Sequence, residues 1–158
     1  MKNLQSLLNR IEVQVQLDLE AEQRKRGLLD LLAAAVRTGK PSEIQQATES
    51  LKEEIDGGRT RATKRTALLE ACAEHFGVPA SCITLASIAE RAGAGGERLV
   101  SLRSELRDAA AGVARMHRGL SAAIRCQRRV IGDALAILLA DENGNPMNEQ
   151  GMLVDAEV

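Results

Sequence analysis

The sequence has 158 residues, a formal net charge of −1 and 44% hydrophobic residues, and Phe76 is its single aromatic residue. This length and content predict one domain with its own core, while the lack of aromatic rings argues against a site that stacks a base or a cofactor ring. A net charge near zero creates no overall field for nucleic acid or a membrane surface, so we expect neither as a partner.

Cysteine usage and hydropathy predict the compartment. The three cysteines are an odd number at wide spacing, which is typical of reduced thiols rather than of a disulfide framework. Residues 1–12 lack the uninterrupted apolar core of a signal peptide, and no run of about 18 apolar residues could span a membrane. We therefore expect a cytoplasmic protein without membrane insertion.

The first predicted element covers residues 4–36, where apolar residues recur mostly at helical spacing, with one Gly and no Pro. Between residues 11 and 19, however, apolar and polar residues alternate, which is a strand signal. No second run of this kind could pair with it, and an isolated strand is not stable in water. We therefore predict one long helix.

A turn at residues 38–41 should end this helix, because its Gly can adopt a left-handed cap and its Pro cannot continue the helix. Ser42 and Gln45 then match a capping box, which predicts the start of a second helix. Because the connection is short, the two helices are predicted to be antiparallel neighbours.

The second helix should end at Phe76, with a weak or bent point at Gly57–Gly58. Thr84 can cap a short helix over residues 85–91, which a glycine-rich turn separates from the last helix. Together these segments predict a short helix between the second and third long ones.

The longest apolar pattern runs over residues 97–140 and keeps the three-and-four spacing of a coiled-coil seam for about six heptads. The predicted fold is therefore all-α, an antiparallel bundle of three long helices with a short helix between the second and third. Residues 1–140 should form the helical bundle, and residues 141–158 are predicted to be a polar, flexible C-terminal tail.

Charge is distributed unevenly along the last third of the chain. Residues 98–139 contain eight Arg and three acidic residues, a net charge of +5, whereas residues 140–158 contain five acidic residues and no basic one. Solvated helix faces explain this pattern, and so does an acidic tail that lies against a basic helix.

Motifs for catalysis or metal binding are weak. The Gly93–Gly96 run follows no strand and precedes no Lys-Ser or Lys-Thr, so it is not a phosphate loop. Cys72 and His75 could share a zinc ion with the other two cysteines, but small thiols on helices are more often packing residues. We predict no enzyme, no metal and no cofactor. The best enzymatic alternative is a pocket for an anionic small molecule that is lined by Arg118, Arg125 and Arg129. A solvated basic helix face explains these three arginines equally well.

The segment 76–89, Phe-Gly-Val-Pro-Ala-Ser-Cys-Ile-Thr-Leu-Ala-Ser-Ile-Ala, resembles the Gly-x-Pro and Thr-Leu-x-x-Ile/Leu connector of FlgN-type flagellar export chaperones. The Leu-x-x-Leu-x-x-x-Leu start of the next helix at residues 99–106 is similar too, as is the ending over residues 141–156. An Asn-rich patch expected in the last helix is replaced by His-Arg-Gly at residues 117–119, and an aromatic residue expected near Asp141 is missing.

The resemblance implies a cytosolic chaperone that binds the amphipathic terminal helix of hook-filament junction proteins, prevents their premature assembly and aids their delivery to the flagellar type III export apparatus. If the last helix is longer than its neighbours, a client helix can complete the bundle on its apolar strip. The residues predicted to bind the client are Leu120, Ile124, Ile131, Leu135 and Leu138. The residues predicted to make electrostatic contacts are Arg125, Arg128 and Arg129. The alternative is a coiled-coil adaptor or homo-oligomeric structural protein, such as a homodimer, in which the same strip pairs with its own copy.

Overall fold

The computed structural model describes residues 4–142, with side chains up to Leu139, and every element within that range is helical. This confirms the predicted all-α fold, and the strand-like alternation at residues 11–19 lies inside a helix. Two 3-10 turns, Ala80–Cys82 and Gly93–Gly96, flank the short helix. The helices are α1 (Leu4–Thr38), α2 (Pro41–Phe76), α3 (Leu85–Ala92) and α4 (Glu97–Glu142).

The chain divides into two compact units, Met1–Leu120 and Ser121–Val158. The sequence predicts that the bundle ends at Ala140, whereas the first compact unit ends earlier, at Leu120. Helix α4 continues to Glu142, across the predicted boundary between bundle and tail. Residues 143–158, most of the predicted tail, lie outside the described residues.

The main hydrophobic core of the first unit lies at one end, where the start of α1, the end of α2, α3 and the start of α4 meet. Fully burying one Leu or Ile side chain contributes about 1.5–3 kcal/mol, so this cluster fixes the start of α4 within the first unit. Its buried members are Leu7, Leu8, Ile11, Val15, Leu19, Leu68, Cys72, Ala73, Ile83, Ile88, Ala89, Leu99 and Leu102.

The turn between α1 and α2 forms as predicted, with Gly39 in the left-handed region at φ 66°. The predicted capping box of Ser42 and Gln45 is wrong. Helix α2 already begins at Pro41, its N-cap Lys40 makes no side-chain cap hydrogen bond, and Gln45 donates to Glu49 instead. The first helical position suits Pro because the N–H that Pro lacks would have no partner there.

Helix α3 is held at both ends. The Thr84 side chain accepts a hydrogen bond from the Ser87 backbone N–H at 3.1 Å, and the Ser87 hydroxyl accepts one from the Thr84 N–H at 2.9 Å, which confirms Thr84 as the cap. At the end of α2, the ring of Phe76 lies 5.4 Å from the guanidinium carbon of Arg91 and meets the His75 ring edge-on. The cation-π contact ties α3 to α2.

In the turn before α4, the backbone of Ala89 in α3 lies very close to Gly96, which is buried. A Cβ atom at this position would overlap the carbonyl group of Ala89. Only Gly therefore allows the start of α4 to pack against α3 in this way.

Helix α2 runs through Gly57–Gly58 without interruption. Arg61 folds back along this stretch, and its guanidinium donates to the Glu54 carboxylate at 2.6 Å and to the Glu54 carbonyl at 3.1 Å. A Cβ atom at Gly57 would come within 3.3 Å of the Arg61 guanidinium. The glycines thus leave room for an arginine that bridges two turns of the helix.

Candidate functional site

Burial falls along the apolar stripe of α4. Leu99 and Leu102 are buried, whereas Ile131, Leu135 and Leu138 expose 60%, 52% and 62% of their surface. The apolar stripe of α4 is therefore buried at its beginning and exposed to solvent at its end. The residues between these two groups are half-buried: Leu106, Ala109, Val113, Met116, Leu120 and Ile124.

We call Ile124, Ile131, Leu135 and Leu138 the α4 strip. At 3.6 residues per turn these four side chains lie within about 60° of the helix circumference, and all four belong to the second unit. They are four of the five predicted client-binding residues. The fifth, Leu120, is half-buried and belongs to the first unit.

The three predicted electrostatic residues, Arg125, Arg128 and Arg129, are exposed. On the helix circumference they lie to one side of the α4 strip, with Arg128 nearest to it. The single acidic residue between positions 121 and 139, Asp133, is exposed on the far side from the strip. The α4 strip therefore has one strongly basic edge.

A second apolar face of α4 escaped the sequence interpretation. Val130 and Ile137 expose 61% and 66% of their surface and lie about 120° around the helix from the α4 strip. Val130 and Ile137 are seven residues apart, which is about two helical turns, so their spacing could have indicated a second apolar face. The prediction followed only the stripe from Leu99 to Leu138 and therefore did not include them. Residues 121–139 thus present apolar side chains over more of the circumference than one partner helix covers.

Comparison with known proteins finds no significant match to this chain among protein-family models, curated proteins or solved structures. Within residues 4–142, no helix has both the length and the hydropathy needed to cross a bilayer.

Several open grooves lie in the first unit. One, of about 680 Å³, runs between α1 and α2. It has Val13, Ala67 and Ala71 among its apolar lining and the exposed cations Arg10 and Lys64 at its edge. Another, of about 320 Å³, lies between α1, α2 and α4. Its apolar lining includes Leu29, Leu51, Ile55 and Val113.

The interface between α1 and α2 contains a polar group that the sequence interpretation missed. Asp18 is 6% exposed and accepts hydrogen bonds from Arg65 and, at 3.2 Å, from the Gln14 side chain. Arg61 approaches the same carboxylate to 4.0 Å. Because Gln14 and Asp18 continue the three-and-four spacing of the α1 core residues, the spacing was a signal that could have found them.

A second acidic group, Glu54, extends this network along α2. Its carboxylate lies 3.0 Å from Arg24 Nε and 2.6 Å from Arg61 Nη2. Burial alone raises the pKa of Glu54, but hydrogen bonds and charge interactions with these two guanidinium groups outweigh it and hold the pKa below its ordinary value. The network joins α1 to the middle of α2 and gives Arg61 and Arg65 their acidic partners.

The residues considered for zinc or thiol chemistry differ in environment. Cys72 is buried in the core, and burial raises the pKa of its thiol, whereas Cys82 and Cys126 are exposed. Within the described part of the chain, no group of three or more His, Cys, Asp or Glu side chains is arranged to hold a metal ion. Arg118, like Arg125 and Arg129, is exposed on α4.

Proposed function

We propose that this protein is a cytosolic export chaperone of the FlgN type, which binds the amphipathic terminal helix of hook-filament junction proteins, prevents their premature assembly and aids their delivery to the flagellar type III export apparatus. The observation that carries the proposal is the exposure of Ile131, Leu135 and Leu138 at helical spacing on α4. An apolar strip of this kind is the surface on which an amphipathic client helix docks. The proposed action is binding alone and needs no covalent step.

The α4 strip supports reversible binding. Full burial of a Leu or Ile side chain contributes about 1.5–3 kcal/mol, so covering the exposed half contributes about 1–1.5 kcal/mol per residue. Association itself costs at least about 4 kcal/mol of lost freedom. Ile131, Leu135 and Leu138 are exposed to this extent and together contribute about 3–4.5 kcal/mol, which only balances that cost. Reversible binding therefore depends also on the apolar residues that the client itself buries.

Isothermal titration calorimetry with synthetic peptides of the terminal helices of hook-filament junction proteins tests the proposal. The double variant Ile131→Ser with Leu135→Ser should lose about 2–3 kcal/mol of binding free energy, which is a roughly 30- to 150-fold weaker Kd. Its helicity should persist, because both residues are exposed and Ser and Ile have similar helix propensities.

The second apolar face offers a matched control. Val130→Ser with Ile137→Ser removes similar apolar surface at similar exposure but outside the strip, so peptide binding should stay close to wild type. Equal losses in both double variants would mean that binding is not directed to the α4 strip. Loss of helicity in the Ile131 and Leu135 variant would mean that these residues belong to a core.

The exposed second face also favours a competing function, a coiled-coil adaptor that pairs with its own copy. Light scattering separates the two. A monomer that forms a one-to-one complex with the peptide supports the chaperone, whereas a stable dimer that the peptide does not dissociate supports the adaptor and contradicts our proposal.

A further inference from the structure

The arginines at the basic edge of the α4 strip are exposed to solvent. None of the three, Arg125, Arg128 and Arg129, makes an ion pair with a described residue. Three exposed cations beside exposed apolar side chains favour an occupant that carries acidic and apolar residues together.

A segment of this composition follows α4 in the same chain. Residues 147–158 contain no Lys or Arg, and their acidic and apolar residues are interspersed. The charge of this segment is therefore opposite to that of the strip's basic edge. Its acidic residues are Glu149, Asp155 and Glu157, and its apolar residues include Met147, Met152, Leu153 and Val154.

The segment is long enough to reach the strip. Sixteen residues follow Glu142, and fully extended they span up to about 50 Å, whereas residues 121–142 of α4 measure about 32 Å. Even at a helical rise, residues 147–158 cover about 18 Å, the distance from the end of α4 back to Ile131. Residues 143–146, Asn-Gly-Asn-Pro, are of the types that reverse chain direction.

We propose that residues 147–158 fold back within the same molecule and bind the basic edge of the α4 strip. The acidic side chains pair with the three arginines, and the apolar ones cover Ile131 and Leu135. The contact shields the strip from water and from other proteins. Because the client would occupy the same surface, tail and client exclude each other. This exclusion rests on the proposed function, whereas the contact itself does not.

Methyl NMR on the full-length chain tests the contact, since the eight isoleucines give few, separable signals. The tail variant Glu149→Gln, Asp155→Asn, Glu157→Gln should shift the methyl signals of Ile124 and Ile131. The signals of Ile11 and Ile88, both buried in the first unit, should not move. Sodium chloride at about 1 M shortens the screening length to about 3 Å and so weakens the contact. It should move the wild-type Ile131 signal in the same direction as the tail variant does.

A matched control changes the same charge elsewhere. Glu70→Gln, Glu74→Gln and Glu90→Gln alter three exposed acids of the first unit and should leave the Ile131 signal in place. A second tail variant, Met152→Ser with Leu153→Ser, tests the apolar part of the contact. The proposal is overturned if neither tail variant moves the Ile131 signal, if the control moves it equally, or if the movement grows with protein concentration, which would assign the occupant to a second chain.

Client affinity tests the exclusion separately. If the tail covers the strip in about nine of ten molecules, weakening the contact tightens the apparent Kd for the client peptide about tenfold. A tail variant that moves the Ile131 signal and leaves the Kd unchanged disproves competition and keeps the contact. A chain whose tail contacts the strip but which binds no client peptide disproves the chaperone function instead.

Discussion

Asp18 offers the sharpest test of how α1 and α2 are held together. Its buried carboxylate accepts hydrogen bonds from Arg65 and Gln14, and Arg61 lies 4.0 Å away. We expect Asp18→Ala to destabilise the protein, because it removes the acceptor that these donors share in a mostly buried interface.

The magnitude follows from burial. Removing one partner of a buried ion pair costs about 3–5 kcal/mol. The arginine side chains are only partly buried, 38% exposed for Arg65 and 20% for Arg61, so water replaces part of the lost interaction. We therefore expect a loss of about 2–3 kcal/mol, which for a chain of this size lowers the Tm by roughly 5–10 °C.

Urea unfolding followed by far-ultraviolet circular dichroism measures this loss. The matched variant, Gln14→Leu with Asp18→Leu and Arg65→Leu, replaces both partners of the ion pair and the associated amide by apolar side chains, and it should remain within about 1 kcal/mol of wild type or exceed it. A change below about 0.5 kcal/mol for Asp18→Ala, the size typical of surface positions, would refute the reasoning, as would an equal loss in the triple Leu variant.

Two further variants test a close contact and an ion-pair network. Gly96→Ala should cost about 1–3 kcal/mol in urea titrations, because its Cβ would overlap Ala89, whereas Gly95→Ala, with only ordinary contacts, should cost less than about 0.5 kcal/mol. The lowered pKa of Glu54 means that its carboxylate stabilises the fold above the ordinary pKa of 4.5 and that this contribution is lost as the pH falls through the folded value. Glu54→Gln should therefore be less stable than wild type at neutral pH, and the difference should shrink below pH 4.5.

Much of the fold could be predicted because its signals are local. Gly39 and Thr84 act as predicted, and apolar spacing identifies all three long helices. The start of α2 was missed because Pro at the first helical position competes with a capping box. Gln14 and Asp18 were missed because apolar residues alone were used to find the core. Their spacing places them in it, and Arg65 supplies a partner for Asp18 from a distant part of the chain.

The candidate site was predictable only in part. Apolar residues recur at three-and-four spacing on both sides of one gap, between Ile124 and Ile131, so spacing alone cannot tell a covered stripe from an open one. Burial depends on whether another helix lies over each turn, which is a property of the fold. For the same reason the exposure of Val130 and Ile137 emerged only from the structure.

Phe76, which lies between His75 and Arg91, is the single phenylalanine of this protein, and this has an optical consequence. With neither tryptophan nor tyrosine in the chain, the folded protein is nearly dark in near-ultraviolet fluorescence. A tryptophan carried by a docked peptide would therefore emit against almost no background. A shift of the tryptophan emission toward shorter wavelength would show that the peptide's indole ring is shielded from water at its binding surface, and the protein itself would need no label.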